Sequence, residues 1–168
     1  MAKFQLIAGL ILLGFCAAAQ GLKVEVEGNV NFMGQAFTIS EAGENISSSS
    51  TSETAIYVSV SSNDYWDKKK NKNKKWQVVV HKSDINWHNN LLLEIQRSGS
   101  GQNAGNNGRV NISDGNSFQE VTNTPNYFFK GKDEIVYIPI DVKLLGASLT
   151  MGAKQFETNI VLTVYDDW

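Results

Sequence analysis

Apolar residues recur at every second position in several short segments of this chain, and that period restricts the possible folds more than any other feature. Residues 22–27 alternate between apolar and charged side chains, and residues 55–61, 135–144 and 159–165 show the same period. Residues 76–81 are β-branched and aromatic, as is typical of strands. Successive side chains of a strand point to opposite faces, so half-buried strands require this period. No segment longer than a turn or two carries the 3.6-residue apolar stripe of a helix.

The segments between these strands are short and rich in turn-forming residues. Residues 29–39 are predicted to form another strand or a bent continuation of the first, and residues 91–95 a short strand after an Asn-rich turn. Residues 46–53 and 98–108 are predicted loops by composition, and the second is too rich in Gly and Asn to bury anything. Seven to nine short strands with turns between them predict an all-β protein, an immunoglobulin-like or Greek-key β-sandwich.

The first 19 residues have the composition of an export signal. Lys3 precedes an apolar run at residues 6–15, and the small residues 17–19 match a cleavage site. The run is shorter than the roughly 20 residues that span a bilayer as a helix, so no transmembrane anchor is expected. Cleavage after residue 19 gives a mature chain, residues 20–168, that forms one domain and is secreted or held at the cell surface. A lipid attached to Cys16 is the alternative.

Cys16 is the only cysteine of the chain, so the mature protein has none. Disulfides, a thiolate nucleophile and cysteine metal sites are therefore excluded, and the domain depends on its own core. Export without cysteine fits a bacterial envelope better than a eukaryotic extracellular module. The formal net charge is −2, and the loss of Lys3 with the signal makes it more negative, which disfavours a general nucleic-acid binder.

Residues 67–76, DKKKNKNKKW, contain six lysines between two predicted strands. Mutual repulsion of the ammonium groups favours an extended, solvated loop. Contact with an anionic surface, such as lipopolysaccharide or an acidic glycan, is a second interpretation. Nucleic acid is the least favoured, because the run has no arginine and no aromatic residue among its charges.

The sequence contains no recognisable catalytic or metal-binding constellation. His81 and His88 are seven residues apart, a separation that places them on opposite faces of a strand, so they predict no metal site. Asp84, Glu94 and Asp141 are carboxylates that nothing in the sequence brings together. We therefore expect no enzyme activity and no cofactor.

Four aromatic residues are the remaining candidates for binding. Tyr65, Trp66 and Trp87 could stack on sugar rings, and we name them as a possible glycan site. Trp76 and Trp87 could instead lie in the core and pack the two sheets together.

Two stretches carry a resemblance. The first is WQVVVHKSDINWHNNLLLEIQRSGSG, residues 76–101, and the second, residues 127–167, ends in an aromatic-Glu-Thr strand. Together they resemble small exported proteins of Bacteroidetes-type bacteria, which are similar to spore coat protein U-like and pilin-like sandwich domains. The resemblance implies an immunoglobulin-like sandwich with a surface or fibre role and no catalytic residue. Spore coat U-like domains usually contain cysteines, which this mature chain does not.

These features favour a non-catalytic structural or interaction subunit of the cell envelope, assembling into a pilus-like fibre, over a secreted glycan-binding module. Its partners would be further copies of itself or other envelope proteins. The first strand could be inserted into a neighbour through alternating apolar residues, namely Leu22, Val24, Val26, Val30 and Phe32. Pairing within its own domain is the alternative, and the sequence favours it. The last strand, residues 159–165, is apolar on one face and nearly apolar on the other, and is predicted to lie inside a sheet beside residues 22–27 of the same molecule or of the next one.

Mature protein recovered from its native host is expected to begin at Gln20, because cleavage follows the small residues 17–19. Mass spectrometry of the intact protein checks this mass directly. A species that retains Lys3, or that carries lipid on Cys16, would contradict it.

Overall fold

The computed structural model describes residues 22–30, 32, 50–62, 74–104, 109–147, 151 and 155–167. These residues form ten strands in two antiparallel sheets and contain no α-helix. The predicted all-β sandwich is confirmed, although the strands number ten rather than seven to nine. Along the chain they are β1 (Leu22–Gly28), β2 (Ser50–Ser62), β3 (Lys75–Asn86), β4 (Leu92–Arg97), β5 (Gln102–Asn103), β6 (Asn111–Ser113), β7 (Gln119–Glu120), β8 (Asn126–Lys132), β9 (Ile135–Leu145) and β10 (Glu157–Asp167).

Most neighbouring strands are distant in sequence. The first sheet has the order β1-β2-β9-β4-β7, with β5 also paired to β9, and the second has the order β10-β3-β8-β6. The run β1-β2-β9-β4 matches the A-B-E-D order of an immunoglobulin sandwich, and β10-β3 matches its F-C pair. The chain therefore crosses repeatedly from one sheet to the other, as in a Greek key.

The core lies between the inner faces of the two sheets, and the period-2 residues fill it. Trp76 is at its centre with no exposed surface, and its ring packs edge-to-face on Phe129 at 6.0 Å between centroids. The indole Nε1 donates a hydrogen bond to the carbonyl oxygen of Asp133 at 2.7 Å. Opposite Trp76 lies Gly131, where a Cβ would be 2.4 Å from the indole Cζ2, so the ring occupies the space that a side chain would need. The prediction of Trp76 as a core residue is confirmed.

Two irregularities bend the β2–β9 pair, and side chains of the sheet stabilise both. Thr54 has a positive φ of 49° and Tyr137 one of 55°, and the register shifts beside each. These values are unusual for non-glycine residues, so the backbone needs local partners. The Tyr137 N–H donates to Ser59 Oγ at 3.1 Å, and the Thr54 N–H donates to Asp141 Oδ1 at 2.8 Å.

Asp141 joins three strands although its carboxylate is buried. Besides the Thr54 N–H, it accepts hydrogen bonds from Gln96 Nε2 at 3.0 Å and from Ser98 Oγ at 2.8 Å. Burial by itself would raise the pKa of Asp141, but these hydrogen bonds to the ionised form hold that pKa below its ordinary value. The Asp141 carboxylate on β9 therefore holds the irregular backbone of β2 at Thr54 and also binds side chains on and just after β4.

Several predictions of local structure need correction. Residues 50–53 belong to β2 rather than to a loop, where they continue the pairing with β9. Within residues 98–108, β5 pairs with β9, and Gly101 lies against Ile135 and Ile138, so residues 101–103 do pack on the first sheet. The strand predicted for residues 29–39 lies almost wholly outside the described residues. The short strands β6 and β7 and the longer β8 were not predicted.

Replacing Asp141 by Asn is expected to lower the free energy of unfolding at pH 7 by about 1–3 kcal/mol, because the amide cannot accept all three hydrogen bonds. The pKa of Asp141 is lower in the folded protein than in the unfolded chain, where it is about 3.9. The stabilisation by its carboxylate is therefore complete above about pH 3.9 and is lost as the pH falls through the pKa of the folded protein. The difference in unfolding free energy between parent and variant should therefore be smaller at pH 3 than at pH 7.

Urea unfolding at both pH values measures this difference. Glu120→Gln, which removes an exposed carboxylate on β7, is the control and should change stability little. A difference for Asp141→Asn that stays constant or grows at pH 3 would contradict the assignment.

Candidate functional site

The last strand, β10, lies at the edge of the second sheet. It pairs with β3 from Glu157, opposite Asn86, to Asp167, opposite Lys75, with a register shift after Glu157. None of the described strands pairs with its other side. The prediction that this strand lies inside a sheet is therefore wrong for the described part of the monomer, where residues 22–27 pair with β2 in the other sheet. Pairing with residues 22–27 of another molecule stays a prediction.

The inner face of β10 is apolar, and the outer face carries Val161 and Tyr165 beside the polar Asn159 and Thr163. Ile160, Leu162 and Val164 are half-buried against the core, whereas the core residues of β3, Trp76, Val78 and Val80, are buried. On the outer face, Tyr165 is 50% exposed. From Thr158 to Tyr165 the strand has no charged residue and no proline. Edge strands are usually protected from pairing with other chains by charges, prolines or bulges, and the central part of β10 has none of these.

The edge strand β1 shows the contrast. Its outer face carries Lys23, Glu25 and Glu27, all exposed, with Lys23 and Glu25 forming a salt bridge. Its inner face carries Leu22 and Val24, both half-buried against the core. This edge is therefore protected by charge, and the edge of β10 is not.

The two edges lie on the same side of the sandwich. Some Cα atoms of β1 and β10 come within 8 Å of each other, although the two strands do not pair. Val26 faces the core opposite the fully buried Val58, yet 49% of its own surface is exposed. The core is thus incompletely covered at Val26, between the edges of the two sheets.

A strand inserted between β1 and β10 would need these two strands to be about 10 Å apart, which is twice the strand spacing. β1 must therefore move to make room for an added strand.

Two buried polar atoms lack a hydrogen-bond partner within the described part of the chain, and both belong to the β10–β3 pair. They are Asp166 Oδ1 on β10 and His81 Nδ1 on β3, and His81 lies opposite Val161. Buried polar atoms of native proteins are almost always paired, so unsatisfied ones are unusual.

The structure places the predicted donor residues of the strand exchange within their own domain. Leu22, Val24 and Val26 pair with β2, and Val30 and Phe32 pack half-buried against the core. This is the intramolecular arrangement that the sequence left open as an alternative.

The predicted glycan residues are not brought together among the described residues. Tyr65 and Trp66 lie outside them. Trp87 is half-buried: its Nε1 donates to the carbonyl oxygen of Leu91 at 2.9 Å, and Lys82 Nζ lies 5.4 Å from its ring centroid. Its indole N–H therefore has a partner within the domain.

His88 and Glu94 contact different partners. His88 Nδ1 accepts a hydrogen bond from the Asn90 N–H at 3.2 Å, and its ring packs on Phe156. Glu94 forms a salt bridge with Lys143 at 3.2 Å.

Asp84 has different partners from the other carboxylates. It forms a salt bridge with Lys82 at 2.7 Å and accepts hydrogen bonds from Asn123 and Thr158. Burial would raise the pKa of Asp84, but these partners hold it below its ordinary value. Across the described ranges, no cluster of three or more His, Cys, Asp or Glu side chains is arranged to bind a metal ion.

Comparison of the chain with protein-family models, with curated proteins and with solved structures finds no match. Within the described residues there is no helix with the length and apolar character to span a membrane.

Deletion of residues 20–28 removes β1, and with it one of the two partners of β2 and two side chains that cover the core. We expect a loss of at least about 3 kcal/mol in the free energy of unfolding, or an insoluble protein. Solubility and chemical unfolding measure this. A deletion variant as soluble and as stable as the parent would show that β1 is dispensable.

Proposed function

We propose that this protein is a non-catalytic, exported structural or interaction subunit of the cell envelope, and that its copies assemble into a fibre by β-strand addition at β10. The observation that carries the proposal is the central stretch of the β10 edge: none of the described strands pairs with its outer side, and no residue from Thr158 to Tyr165 is charged. An added strand would satisfy its backbone groups and cover its half-buried inner residues.

The strand order gives independent support. In an immunoglobulin sandwich the F strand pairs with C on one side and with G on the other. Here β10 and β3 occupy the F and C positions, and among the described strands none occupies the G position. A strand from another molecule would complete the sheet in that position.

The donor that fits this edge is β1 of a second copy. Its residues Leu22, Val24 and Val26 alternate with charged ones, so an apolar row would face the core and a charged row would face solvent. Because β1 pairs with β2 in the monomer, assembly is an exchange in which β1 leaves its own domain. Its departure also opens the space beside β10 that an incoming strand requires.

Such an exchange is heterologous, since a donor surface of one copy meets a different, acceptor surface of the next. Heterologous contacts that do not close into a ring build open filaments. The copies would then form a fibre rather than a symmetric dimer.

A lysine on the acceptor strand tests the proposal. Val161 lies on the outer face of β10, and Val161→Lys places a charge on the unprotected edge strand. We expect the parent protein to form polymers whose size increases with concentration, and the variant to remain monomeric, because charge on an edge strand opposes further pairing. Analytical ultracentrifugation and electron microscopy report assembly, and thermal unfolding confirms that the variant is folded.

Val79→Lys is the matched control. Val79 is also half-buried on the outer face of the second sheet, but its strand is paired on both sides. The same charge at this position leaves the β10 edge unchanged, so assembly should continue. A parent that stays monomeric at all concentrations, or equal effects of the two lysines, would overturn the proposal.

A further inference from the structure

The outer face of the second sheet gathers lysines and tyrosines that are scattered in the sequence. The strand register places them in rows that run across β10, β3, β8 and β6. One row contains Asp167, Lys75, Lys132 and Asn111, and the next contains Tyr165, Gln77, Lys130 and Ser113. In a third row Tyr127 lies opposite Val79. We call Lys75, Lys130, Lys132, Tyr127 and Tyr165 the lysine–tyrosine face.

The side chains of this face point away from the core. Trp76 and Val78 of β3 are fully buried, so the residues that alternate with them, Lys75 and Gln77, lie on the opposite side of the sheet. Lys75 is exposed, and the Lys130 side chain is 53% exposed. Tyr127 and Tyr165 are among the most exposed large apolar residues of the described chain.

Positive charge is in excess on this face. Lys75 and Lys132 lie directly opposite each other on neighbouring strands, an arrangement of like charges that destabilises a sheet. Among the described side chains, the carboxylate of Asp114 lies 3.8 Å from Lys130 Nζ and offsets part of this charge. An anionic ligand would relieve the repulsion between Lys75 and Lys132.

The remaining groups identify the kind of anion. Gln77, Asn111 and Ser113 lie between and beside the lysines, and amides and hydroxyls of this kind hydrogen-bond to sugar hydroxyls. The two tyrosines are separated by two strand spacings across the sheet and one row along it, about 12 Å. Tyr165 lies in the same row as Lys130 and Tyr127 in the next row, so their rings offer apolar surface to sugar faces beside Lys130.

A polynucleotide fits this face less well. The face has no arginine for bidentate contact with phosphate, and the protein as a whole carries a net charge of −2. Short-range hydrogen bonds to a hydroxylated chain must therefore supply much of the binding. We infer that the lysine–tyrosine face binds an acidic polysaccharide, with the lysines on its carboxylate or sulfate groups and the tyrosines against its sugar rings.

This site differs from the one predicted from sequence, because it contains none of Tyr65, Trp66 and Trp87. It is also independent of strand addition. Lys130 and Lys132 lie on β8, which β3 separates from β10, so their replacement leaves the β10 edge intact.

The test measures binding to sodium polygalacturonate, alginate and chondroitin sulfate by isothermal titration calorimetry at low ionic strength. Fully methyl-esterified polygalacturonate has the same sugar chain without its charges. We expect the parent to bind at least one acidic polysaccharide, to bind the methyl ester about tenfold or more weakly, and to lose affinity as salt is added.

The double variant Lys130→Ser/Lys132→Ser should weaken binding of the acidic polysaccharide by about tenfold or more, because it removes two charge-assisted contacts. The control Lys23→Ser/Lys143→Ser changes the net charge equally on the outer face of the first sheet and should bind like the parent. Tyr165→Ser should also weaken binding, whereas Tyr137→Ser, on the first sheet, should not.

Four outcomes would overturn the inference: no binding to any of the three acidic polysaccharides, equal losses in the two double variants, equal binding of the methyl ester, or stronger binding to poly(dT) or phosphatidylglycerol vesicles than to the polysaccharides. Assembly of the Lys130→Ser/Lys132→Ser variant is measured alongside. A variant that polymerises like the parent while the parent binds no polysaccharide refutes this inference alone.

Discussion

The hydrogen-bond ladder between β10 and β3 is one-sided in the described fold, and the functional account depends on that asymmetry. A strand inside a sheet satisfies its backbone groups on both sides, whereas an edge strand leaves half of them to water or to another chain. The central part of β10 combines this open side with apolar residues on both faces, while β1, the other edge nearby, carries charges. The difference between these two edges is the reason for proposing β10, rather than β1, as the acceptor.

The long strands could be predicted because each has one buried and one exposed face. Alternation in residues 55–61 and 135–144 identified most of β2 and β9, and the aromatic and β-branched composition of residues 76–81 identified the first half of β3. In β8 the alternation fails, because a register shift beside Phe128 lets the consecutive residues Phe128 and Phe129 both be buried in the core. The strands β5, β6 and β7 are two or three residues long, too short to show any period.

The site was harder to predict than the fold. The apolar pattern of the last strand predicted a neighbour on each side, whereas the described fold has β3 alone beside it. The pattern is the same whether a second neighbour comes from the same sheet or from another molecule. The hydrogen-bond donors to Asp141 lie on β2, on β4 and in the residue after β4, so no local sequence pattern predicts these contacts. The lysine–tyrosine face likewise depends on the register of three strands, of which β8 was not predicted.

Strand addition at β10 and binding at the lysine–tyrosine face are compatible in space. A strand added beside β10 would widen the second sheet by about 5 Å and leave the outer faces of β3 and β8 open. Successive copies in a fibre would then present the face repeatedly, and many weak contacts to one polysaccharide chain would combine into firm attachment.

Amide hydrogen exchange along β10 tests the central claim most directly. In the monomer, the amides of β10 that point away from β3 have no partner among the described strands and should exchange with solvent rapidly. In the assembled protein the account predicts that these same amides, between Thr158 and Tyr165, become strongly protected while those bonded to β3 change little. Polymers in which the outward amides of β10 exchange as rapidly as in the monomer would contradict strand addition at this edge.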